Sequence, residues 1–405
     1  MTSLPSAERV SGALDGFTRW LCDFGETSFD HQSFFAGPVG GRAKALYYRQ
    51  RKLGTLAVAP MVFFEAFVPS ARRLFHRPLR FPIADAHYAM GFAFLREATG
   101  DDHYLETARH FLEELKNSRC PGYDDYCWGY PFDWVTRNGT LPGHTPFITS
   151  TPYVYEAFLQ VHTIQPRDEW LAILASIARH VQNDIKDTPT SASASSSSYG
   201  PYGGAGVINA SAYRAFMLTS AARVLCDERY RVTAERNLNF VLEAQNGDGS
   251  WHYAIDGARD FIDHFHTCFV MKALGKILRL TGHTGCRSAL ERGVRYYLGH
   301  LFDQEGRPKP FSRAPRMIVY KRELYDCAEC INLCLVLRSY FPELNETLER
   351  VVRDILDHWV KRDGSFRSRR LHFGWDNVPM HRWAQAQMFR SLAYYVREAS
   401  ADARD

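Results

Sequence analysis

The segment Tyr123–Trp134 holds the densest group of side chains that could bind and process a ligand. Six of its twelve residues are aromatic and three are acids, within a turn that contains Gly and Pro and offers no regular face for burying them. Aromatic faces pack on the apolar face of a pyranose, while carboxylates accept its hydroxyl groups. We therefore expect Trp128, Tyr130 and Trp134 to stack on a sugar and Asp133 to act as general base or hydroxyl acceptor. The alternative is a rigid aromatic clasp between neighbouring parts of the fold.

Two acids spaced three residues apart, Asp326 and Glu329, form a second candidate group. In a helix this spacing places both side chains on one face. Neighbouring carboxylates raise each other's pKa, so one of them could serve as the general acid that sugar-bond chemistry requires. Ion pairs with Lys321 or Arg322 are the alternative interpretation.

Histidines and one arginine at predicted helix starts complete the candidate site. His264 and His266 lie on opposite sides of a helix, so only one can face a ligand, and we expect His266 and His381 to transfer protons. Arg382 could bind a carboxylate or phosphate of the substrate. The other expected substrate-binding residues are polar or aromatic and also lie near helix starts: Asn209, Tyr213, Trp251, Tyr325 and Trp383.

The cysteines do not indicate a metal site. Cys327 and Cys330 have CxxC spacing and Cys334 follows four residues later, but no second pair stands at ligand distance and all three fall in an apolar helical stripe. No HExxH, P-loop or dinucleotide-binding glycine motif occurs in the sequence. The sequence predicts neither a metal nor a cofactor.

These candidates follow turns that recur roughly every 50 to 70 residues, as expected for a repeated supersecondary unit. Most turns combine glycine, an acid and an aromatic residue, and each precedes a helix. Because equivalent turns lie at equivalent places in a repeat, the polar helix starts should converge on one end of the array. The turns are 128–134, 200–206, 248–251, 305–311 and 363–366.

Apolar residues recur at steps of three and four throughout the chain and predict twelve helices. Helices such as 169–185 and 344–360 are amphipathic, whereas 207–224 and 261–278 are apolar nearly all round. Six apolar helices inside six amphipathic ones make an all-α (α/α)6 toroid, here a single domain over 1–405 with short β-hairpins in the rim loops. An open solenoid would leave the apolar helices exposed on its concave face.

Two segments depart from the repeat. Residues 43–83 form a predicted irregular insertion in which basic groups flank the apolar run 54–68. Segment 49–80 could therefore make peripheral contact with an anionic membrane surface, although packing against the toroid with solvated arginines is the alternative. The Ser-rich stretch 188–206 is predicted to be a flexible loop, either a lid or a plain insertion.

Composition limits the classes of partner that the protein could bind and indicates its cellular compartment. The chain has 49 basic and 45 acidic residues and a net charge of +4, which is too balanced for a nucleic-acid-binding protein. Nine scattered cysteines fit a reducing environment, and the first residues lack the pattern of a secretory signal. We expect a cytoplasmic protein, and the sequence leaves its oligomeric state open.

The repeat of turn and helix resembles the (α/α)6 toroid superfamily. Its members include six-hairpin glycosidases, polysaccharide lyases and sugar epimerases, and related toroids include terpene cyclases and protein prenyltransferases. Gln245–Trp251 is similar to the QxxDGSW turn of the latter two, but the DxDD acid motif is missing and Asp124-Asp125 is its nearest counterpart. Cys127–Trp134 resembles a segment of poorly characterised toroid proteins encoded among bacterial surface-polysaccharide genes.

The resemblance implies a bacterial carbohydrate-active protein of polysaccharide biosynthesis or metabolism. Its substrate would be an oligosaccharide or sugar-containing small molecule, and its acid/base chemistry would be hydrolysis, β-elimination or epimerisation. Two alternatives remain open. An isoprenoid cyclase or prenyltransferase would have a mouth lined almost only by aromatic residues above a deep acid pair, and a non-catalytic carbohydrate-binding or assembly protein would lack an acid and a histidine close together.

Overall fold

The computed structural model describes residues 6–137, 139–315 and 318–403, and most of these lie in α-helices. Two π-helical turns span Ile355–Trp359 and His381–Gln385, and a 3₁₀ helix spans Pro69–Leu74. No helix in these ranges is long and apolar enough to cross a bilayer. The helices are α1 (Ala7–Phe24), α2 (Ser33–Ala36), α3 (Pro38–Arg49), α4 (Arg51–Phe67), α5 (Pro82–Thr99), α6 (Asp102–Asn117), α7 (Thr151–Ile164), α8 (Asp168–Asn183), α9 (Ile208–Val224), α10 (Arg229–Glu243), α11 (His264–Thr281), α12 (Thr284–His300), α13 (Leu324–Leu337), α14 (Leu344–Asp354) and α15 (Ala386–Asp402).

Twelve of these helices form two concentric rings. Helices α5, α7, α9, α11, α13 and α15 pack side by side in chain order, and α15 packs against α5 to close the inner ring. Helices α6, α8, α10, α12 and α14 each lie outside a neighbouring inner helix, while α1 lies outside α15. The predicted all-α (α/α)6 toroid is confirmed.

The two rings differ in burial, as their sequence patterns predict. Every side chain of α13 is buried, because an inner helix has neighbours on all sides. Helix α14 buries a single stripe that includes Leu344, Leu348 and Val351, and its opposite face is polar. The amphipathic helices therefore separate the inner ring from solvent.

The recurring turns connect outer helices to inner ones, and the turns at 248–251 and 363–366 share one geometry. The Asp248 carboxylate accepts hydrogen bonds from the Ser250 backbone N–H at 2.9 Å and from its hydroxyl at 2.6 Å. Asp363 accepts the same two bonds from Ser365, at 3.0 and 2.7 Å. The acid of these two turns thus stabilises the turn itself.

Short antiparallel strands join the connections at the rim. Strands β1 and β2, β3 and β4, and β8 and β9 pair within one connection, whereas β5 pairs with β6 and β7 with β8 across the chain. The predicted rim hairpins are therefore present, and further pairs link successive connections. The strands are β1 (Trp134–Thr136), β2 (Gly139–Leu141), β3 (Asp187–Pro189), β4 (Ser195–Ser197), β5 (Ile262–Asp263), β6 (Phe311–Arg313), β7 (Tyr320–Glu323), β8 (Arg369–Leu371) and β9 (Trp375–Asp376).

The Ser-rich stretch 188–206 is exposed at 188–193 and 202–204, as its composition suggests, but its middle is buried. Its serines at 195–198 are buried, and three of them form strand β4. The Asn237 amide donates to the Ser195 carbonyl oxygen at 2.8 Å, and the Ser197 N–H donates to the Ser211 hydroxyl at 3.0 Å. Small side chains with paired backbone groups can be buried, a property that composition alone does not reveal.

The insertion 43–83 is a helical hairpin and not an irregular segment. Helices α3 and α4 pack antiparallel around a small apolar core that includes Phe34, Ala43, Met61 and Ala71. Gly54 permits their close approach, because a Cβ at this position would overlap the Tyr47 backbone. The sequence obscured the hairpin because α4 contains a proline and is apolar on more than one side.

Gly249 provides a test of the turn geometry. Its φ is +92°, and an added Cβ would lie 2.5 Å from the Arg292 carbonyl oxygen on α12. We expect Gly249→Ala to lower the free energy of unfolding by at least about 2 kcal/mol, from backbone strain plus overlap. Urea denaturation would measure the loss. Gly247→Ala in the same turn is the matched control, since it meets open space at an ordinary φ, and equal losses in the two variants would contradict this account.

Candidate active site

A cavity of ≈ 180 Å³ lies at the end of the toroid where the inner helices begin. All six inner helices or the residues just before them contribute to its wall, as the convergence of the repeat predicts. Within the described residues its aromatic lining is Tyr130, Phe132, Trp134, Tyr153, Tyr199, Tyr253, Phe265, Phe269, Tyr325 and Trp383. Its polar lining is His31, Gln32, Thr149, Asn209, His266, Arg382 and Gln387, and Ile83 completes it.

The aromatic wall is held rigid by ring-to-ring packing. Tyr325 and Trp383 stack with centroids 4.4 Å apart and planes inclined by 3°. Phe265 packs edge-on against both rings, at 5.2 and 5.5 Å. On the opposite stretch Tyr130 contacts Phe147 at 5.1 Å and Trp134 at 5.8 Å. Rings fixed in this way present flat apolar faces to a ligand without losing further side-chain entropy.

Arg382 is fixed in the wall by a buried two-pronged ion pair with Asp30. The guanidinium donates from Nε at 2.9 Å and from Nη2 at 2.7 Å, and it lies 4.5 Å from the Tyr130 ring centroid. Burial alone would raise the pKa of Asp30, but the charge of Arg382, together with hydrogen bonds from Arg382 and His31, holds that pKa below its ordinary value. Within the described residues Nη1 of Arg382 forms no hydrogen bond, so one edge remains for a substrate oxygen.

His31 stacks on Trp383 with ring centroids 4.0 Å apart. Its Nδ1 lies 3.2 Å from Asp30, and its Nε2 lies 2.8 Å from the Gln32 amide nitrogen. Burial lowers the pKa of His31 to about 3, against the opposing effect of Asp30. A neutral ring with both nitrogens engaged orients the wall and is poorly placed to transfer protons.

Asp263 and His266 form a carboxylate–imidazole pair at the start of α11. One Asp263 oxygen accepts the His266 backbone N–H at 2.8 Å, and the other accepts the ring Nδ1–H at 2.6 Å. Asp263 is buried, whereas His266 is about one fifth exposed and lines the cavity. Since Nδ1 carries the proton, Nε2 keeps its lone pair, and it bonds to no described residue. This arrangement is that of a general base.

Two buried amides add unused hydrogen-bonding capacity to the cavity. Both amide atoms of Asn209 are buried without a partner in the described chain, although the residue lines the cavity and is only 2 % exposed. Gln387 donates to the Arg382 carbonyl oxygen but leaves its own Oε1 unpaired. An unpaired buried amide is costly, so these groups indicate a place for ligand hydroxyls.

The structure brings together about half of the residues predicted for the site. Those that line the cavity are Tyr130, Trp134, Asn209, His266, Tyr325, Arg382 and Trp383. Those that lie outside it are Asp133, Asp326, Glu329, His381, Trp128, Tyr213 and Trp251. Of the five predicted proton-transfer residues, only His266 faces the cavity.

Asp133 points away from the cavity while its neighbours Phe132 and Trp134 line it. Its side chain is exposed and accepts the Gly143 backbone N–H at 2.8 Å. Successive side chains of an extended segment alternate in direction, so a lining Trp134 turns Asp133 outward. Asp133 therefore stabilises a rim hairpin.

Asp326 and Glu329 are buried within the inner ring instead of at the mouth. Glu329 forms an ion pair with Lys272 of α11, and Arg390 of α15 lies 3.9 Å away. Burial raises the pKa of Asp326 well above its ordinary value, and neither of its oxygens has a partner in the described chain. The helix phase explains the displacement, because Tyr325 takes the position that faces the cavity.

His381 also lies one residue away from the position that faces the cavity. Its Nδ1 accepts the Tyr88 hydroxyl at 2.6 Å, and its Nε2–H donates to the Gly25 carbonyl oxygen at 2.9 Å. Burial lowers the pKa of His381 to about 4. The ring is a neutral packing group that joins α1 to the last inner helix, while the next residue, Arg382, faces the cavity.

The remaining three aromatic candidates have structural roles. The Trp128 indole donates to the Leu115 carbonyl oxygen at 2.8 Å, and the Trp251 indole donates to the Val241 carbonyl oxygen at 3.0 Å. Each tryptophan therefore caps the end of the preceding outer helix, and Trp251 lines only a narrow recess beside the main cavity. Tyr213 lies behind Tyr153 at a hydroxyl–hydroxyl distance of 2.5 Å.

Three residues that line the cavity or hold its lining residues in place were not among the predicted site residues. Asp30 and His31 precede α2, outside the repeat, so no periodic signal marked them. Asp263 stands at the N-cap of α11, where an acid is common for structural reasons alone. His264 proves to be the buried partner of the expected pair, since its Nε2 lies 2.8 Å from the Tyr297 hydroxyl and leaves His266 to the cavity.

Comparison of the structure with solved proteins identifies the same architecture. The unsaturated glucuronyl hydrolase of Bacillus sp. GL1 is similar over 98% of this chain and 96% of that chain, with 15% identity and a TM-score of 0.64. The cellobiose 2-epimerase of Bacillus thermoamylovorans covers 79% and 88%, with 11% identity and a TM-score of 0.62. A GH76 α-mannanase of Bacteroides thetaiotaomicron covers 80% and 86%, with 10% identity and a TM-score of 0.55.

At these identities the similarity establishes the fold alone, in agreement with the predicted (α/α)6 toroid. No protein-family model and no curated protein sequence matches the chain. Within the described residues no group of three or more His, Cys, Asp or Glu side chains is placed to hold a metal ion.

Asp30→Asn tests whether the Arg382 ion pair holds the cavity together. Loss of the charge leaves a buried guanidinium without a counter-ion, so we expect the free energy of unfolding to fall by about 3 to 5 kcal/mol. Glu235→Gln, which removes an exposed ion pair with Arg231, is the control and should change stability by less than about 1 kcal/mol. Urea denaturation compares the two, and similar small losses would refute the structural role of Asp30.

Proposed function

We propose that the protein is an enzyme that moves a proton on a sugar, with His266 as the acid/base residue. The observation that carries the proposal is the Asp263–His266 pair, which presents Nε2 to a cavity lined by stacked aromatic rings. The solved neighbours support a sugar substrate, because their names include an epimerase, a hydrolase and a mannanase. Enzymes of bacterial surface-polysaccharide metabolism remain the predicted context.

The proposed step begins with a sugar held among the aromatic rings that line the cavity. His266 Nε2 takes the proton from a carbon beside a carbonyl or carboxyl group, and the electron pair of the C–H bond moves onto that group's oxygen. The buried Asp263 carboxylate stabilises the imidazolium that forms, and Arg382 offers its free Nη1 to the developing negative charge. Addition of a proton to the opposite face of that carbon completes epimerisation. In β-elimination the C–O bond on the next carbon breaks instead, and the leaving oxygen keeps the bonding electrons and takes the proton held by His266.

Hydrolysis by a pair of carboxylates receives less support. Such enzymes place two acids about 5 to 9.5 Å apart across the scissile bond. Among the described residues that line the main cavity there is no Asp or Glu. The predicted acids Asp326 and Glu329 lie in the inner ring, and Glu329 is held by Lys272.

The two other predicted functions fit the cavity less well. An isoprenoid-processing site would be lined almost only by aromatic residues, whereas this cavity also presents Asn209, His266 and Arg382. A protein that only binds a sugar has no need of a buried acid hydrogen-bonded to a histidine. Here the Asp263 carboxylate lies 2.6 Å from the His266 ring nitrogen Nδ1. Proton transfer on a sugar accounts for both features.

His266→Gln and Asp263→Asn test the base. Purified protein would be incubated in D2O with neutral and uronate-containing oligosaccharides, while deuterium incorporation, unsaturation and new reducing ends are followed by mass spectrometry and NMR. We expect deuterium incorporation or unsaturation in the wild type. Each variant should lower that rate at least about 100-fold, the usual contribution of a positioned base.

His103→Gln is the matched control, because His103 is exposed on the outer helix α6. It should retain the wild-type rate. Retained exchange in His266→Gln would exclude His266 as the base, and new reducing ends without exchange would favour hydrolysis. Binding without any of the three products would favour a binding protein.

Asn209→Leu separates ligand binding from folding. Leucine has a similar shape and removes two buried polar atoms that lack partners, so the free protein should be as stable as the wild type or more stable. The lost hydrogen bonds to substrate should raise KM at least about tenfold. Thermal unfolding and steady-state kinetics measure the two effects. A destabilised variant with unchanged KM would show that Asn209 has a structural role.

A further inference from the structure

Helix α4 leaves a continuous apolar stripe on the surface. Its inner face packs Ala57, Val58 and Met61 into the small core of the hairpin. On the opposite side, residues spaced at three and four positions form one stripe along the whole helix. This outer stripe consists of Leu53, Leu56, Pro60, Phe63 and Phe67, and its four large side chains, without the proline, are 54 to 73 % exposed.

The stripe continues beyond the helix onto one further exposed apolar residue. Phe373, between β8 and β9, is 75 % exposed and stacks on Phe67 with centroids 6.1 Å apart. Large exposed side chains gathered in one patch are unusual for a protein surface that contacts only water.

The segment that carries this stripe is strongly basic and contains almost no acids. Residues 38–80 contain nine Lys or Arg and one acid, Glu65, a charge of +8 in a chain whose net charge is +4. The remainder of the chain, with 40 basic and 44 acidic residues, therefore carries −4. Six of the nine are exposed and form no ion pair with a described residue, namely Arg42, Arg49, Arg51, Lys52, Arg73 and Arg77.

We propose that the α3–α4 hairpin is a docking surface for an anionic membrane, with α4 lying in the plane of the interface. An apolar stripe beside unpaired basic side chains matches such a surface, because the rings enter the acyl boundary while the charges meet lipid phosphates. This proposal is independent of the reaction in the cavity. It favours one of the two interpretations that the sequence left open for 49–80.

The charges and exposed rings argue against other occupants. A symmetric contact between two copies through this face would set the six basic side chains of one copy against those of the other. Nucleic acid would satisfy the charges but would leave Leu56 and Phe63 unburied. An anionic lipid surface satisfies both groups at once.

The test is flotation of the full-length protein with vesicles. Vesicles of phosphatidylcholine alone and of phosphatidylcholine mixed with phosphatidylglycerol would be compared from about 0.05 to about 0.5 M salt, a range over which screening becomes strong. We expect binding to the anionic vesicles only, with a partition coefficient that falls as salt rises. Absence of binding to the anionic vesicles at low salt would overturn the proposal.

Variants assign the binding to this face. Leu56→Ser combined with Phe63→Ser should abolish flotation, and Arg49→Gln, Arg51→Gln and Lys52→Gln together should lower the partition coefficient about a hundredfold, or roughly fivefold per charge. Val232→Ser, at an apolar residue 65 % exposed on α10, is the matched control and should bind like the wild type.

Circular dichroism and thermal unfolding would verify that each variant is folded, and sedimentation velocity would measure self-association. Flotation that is unchanged in the Leu56/Phe63 variant would refute this face as the docking site. A wild-type dimer that the same variant dissociates would identify a second copy as the occupant and would likewise overturn the proposal.

Discussion

The buried ion pair between Asp30 and Arg382 is the constraint on which the cavity depends. It joins a loop near the start of the chain to the first turn of the last inner helix, where the ring of helices closes. The ion pair fixes Arg382 and with it the next residue, Trp383. Asp30 also holds the neighbouring His31, whose ring packs on Trp383. Charges buried this deeply are stable only as a pair, so the wall of the cavity and the closure of the toroid are formed together.

The architecture could be predicted because it depends on features that repeat. Each inner helix must be apolar on all sides, each outer helix needs one apolar stripe, and each turn needs a glycine such as Gly249. These requirements recur along the chain, so a single sequence displays them several times. The end of the toroid that holds the cavity follows from the same repeat, since all inner helices begin there.

The individual site residues could not be predicted in the same way, because helix starts place consecutive residues in different environments. Arg382 faces the cavity while His381 packs against Tyr88, and Tyr325 faces it while Asp326 is buried. One residue along a helix is a rotation of about 100°. Periodicity fixes that phase too loosely to choose between neighbours, and residues outside the repeat, such as Asp30, give no periodic signal.

The helical hairpin and the cavity are connected by a short path of buried charges. Glu65 of α4 accepts a hydrogen bond from Arg369 at 2.7 Å, and Arg369 also pairs with Glu323. The same Glu323 oxygen accepts the Trp383 indole N–H at 2.7 Å, so one carboxylate joins the hairpin to the aromatic wall. Because Glu323 is fully buried and burial raises its pKa, its charge depends on Arg369 remaining in place. A continuous chain of hydrogen bonds and ion pairs therefore connects Glu65 on α4 to Trp383 in the cavity wall.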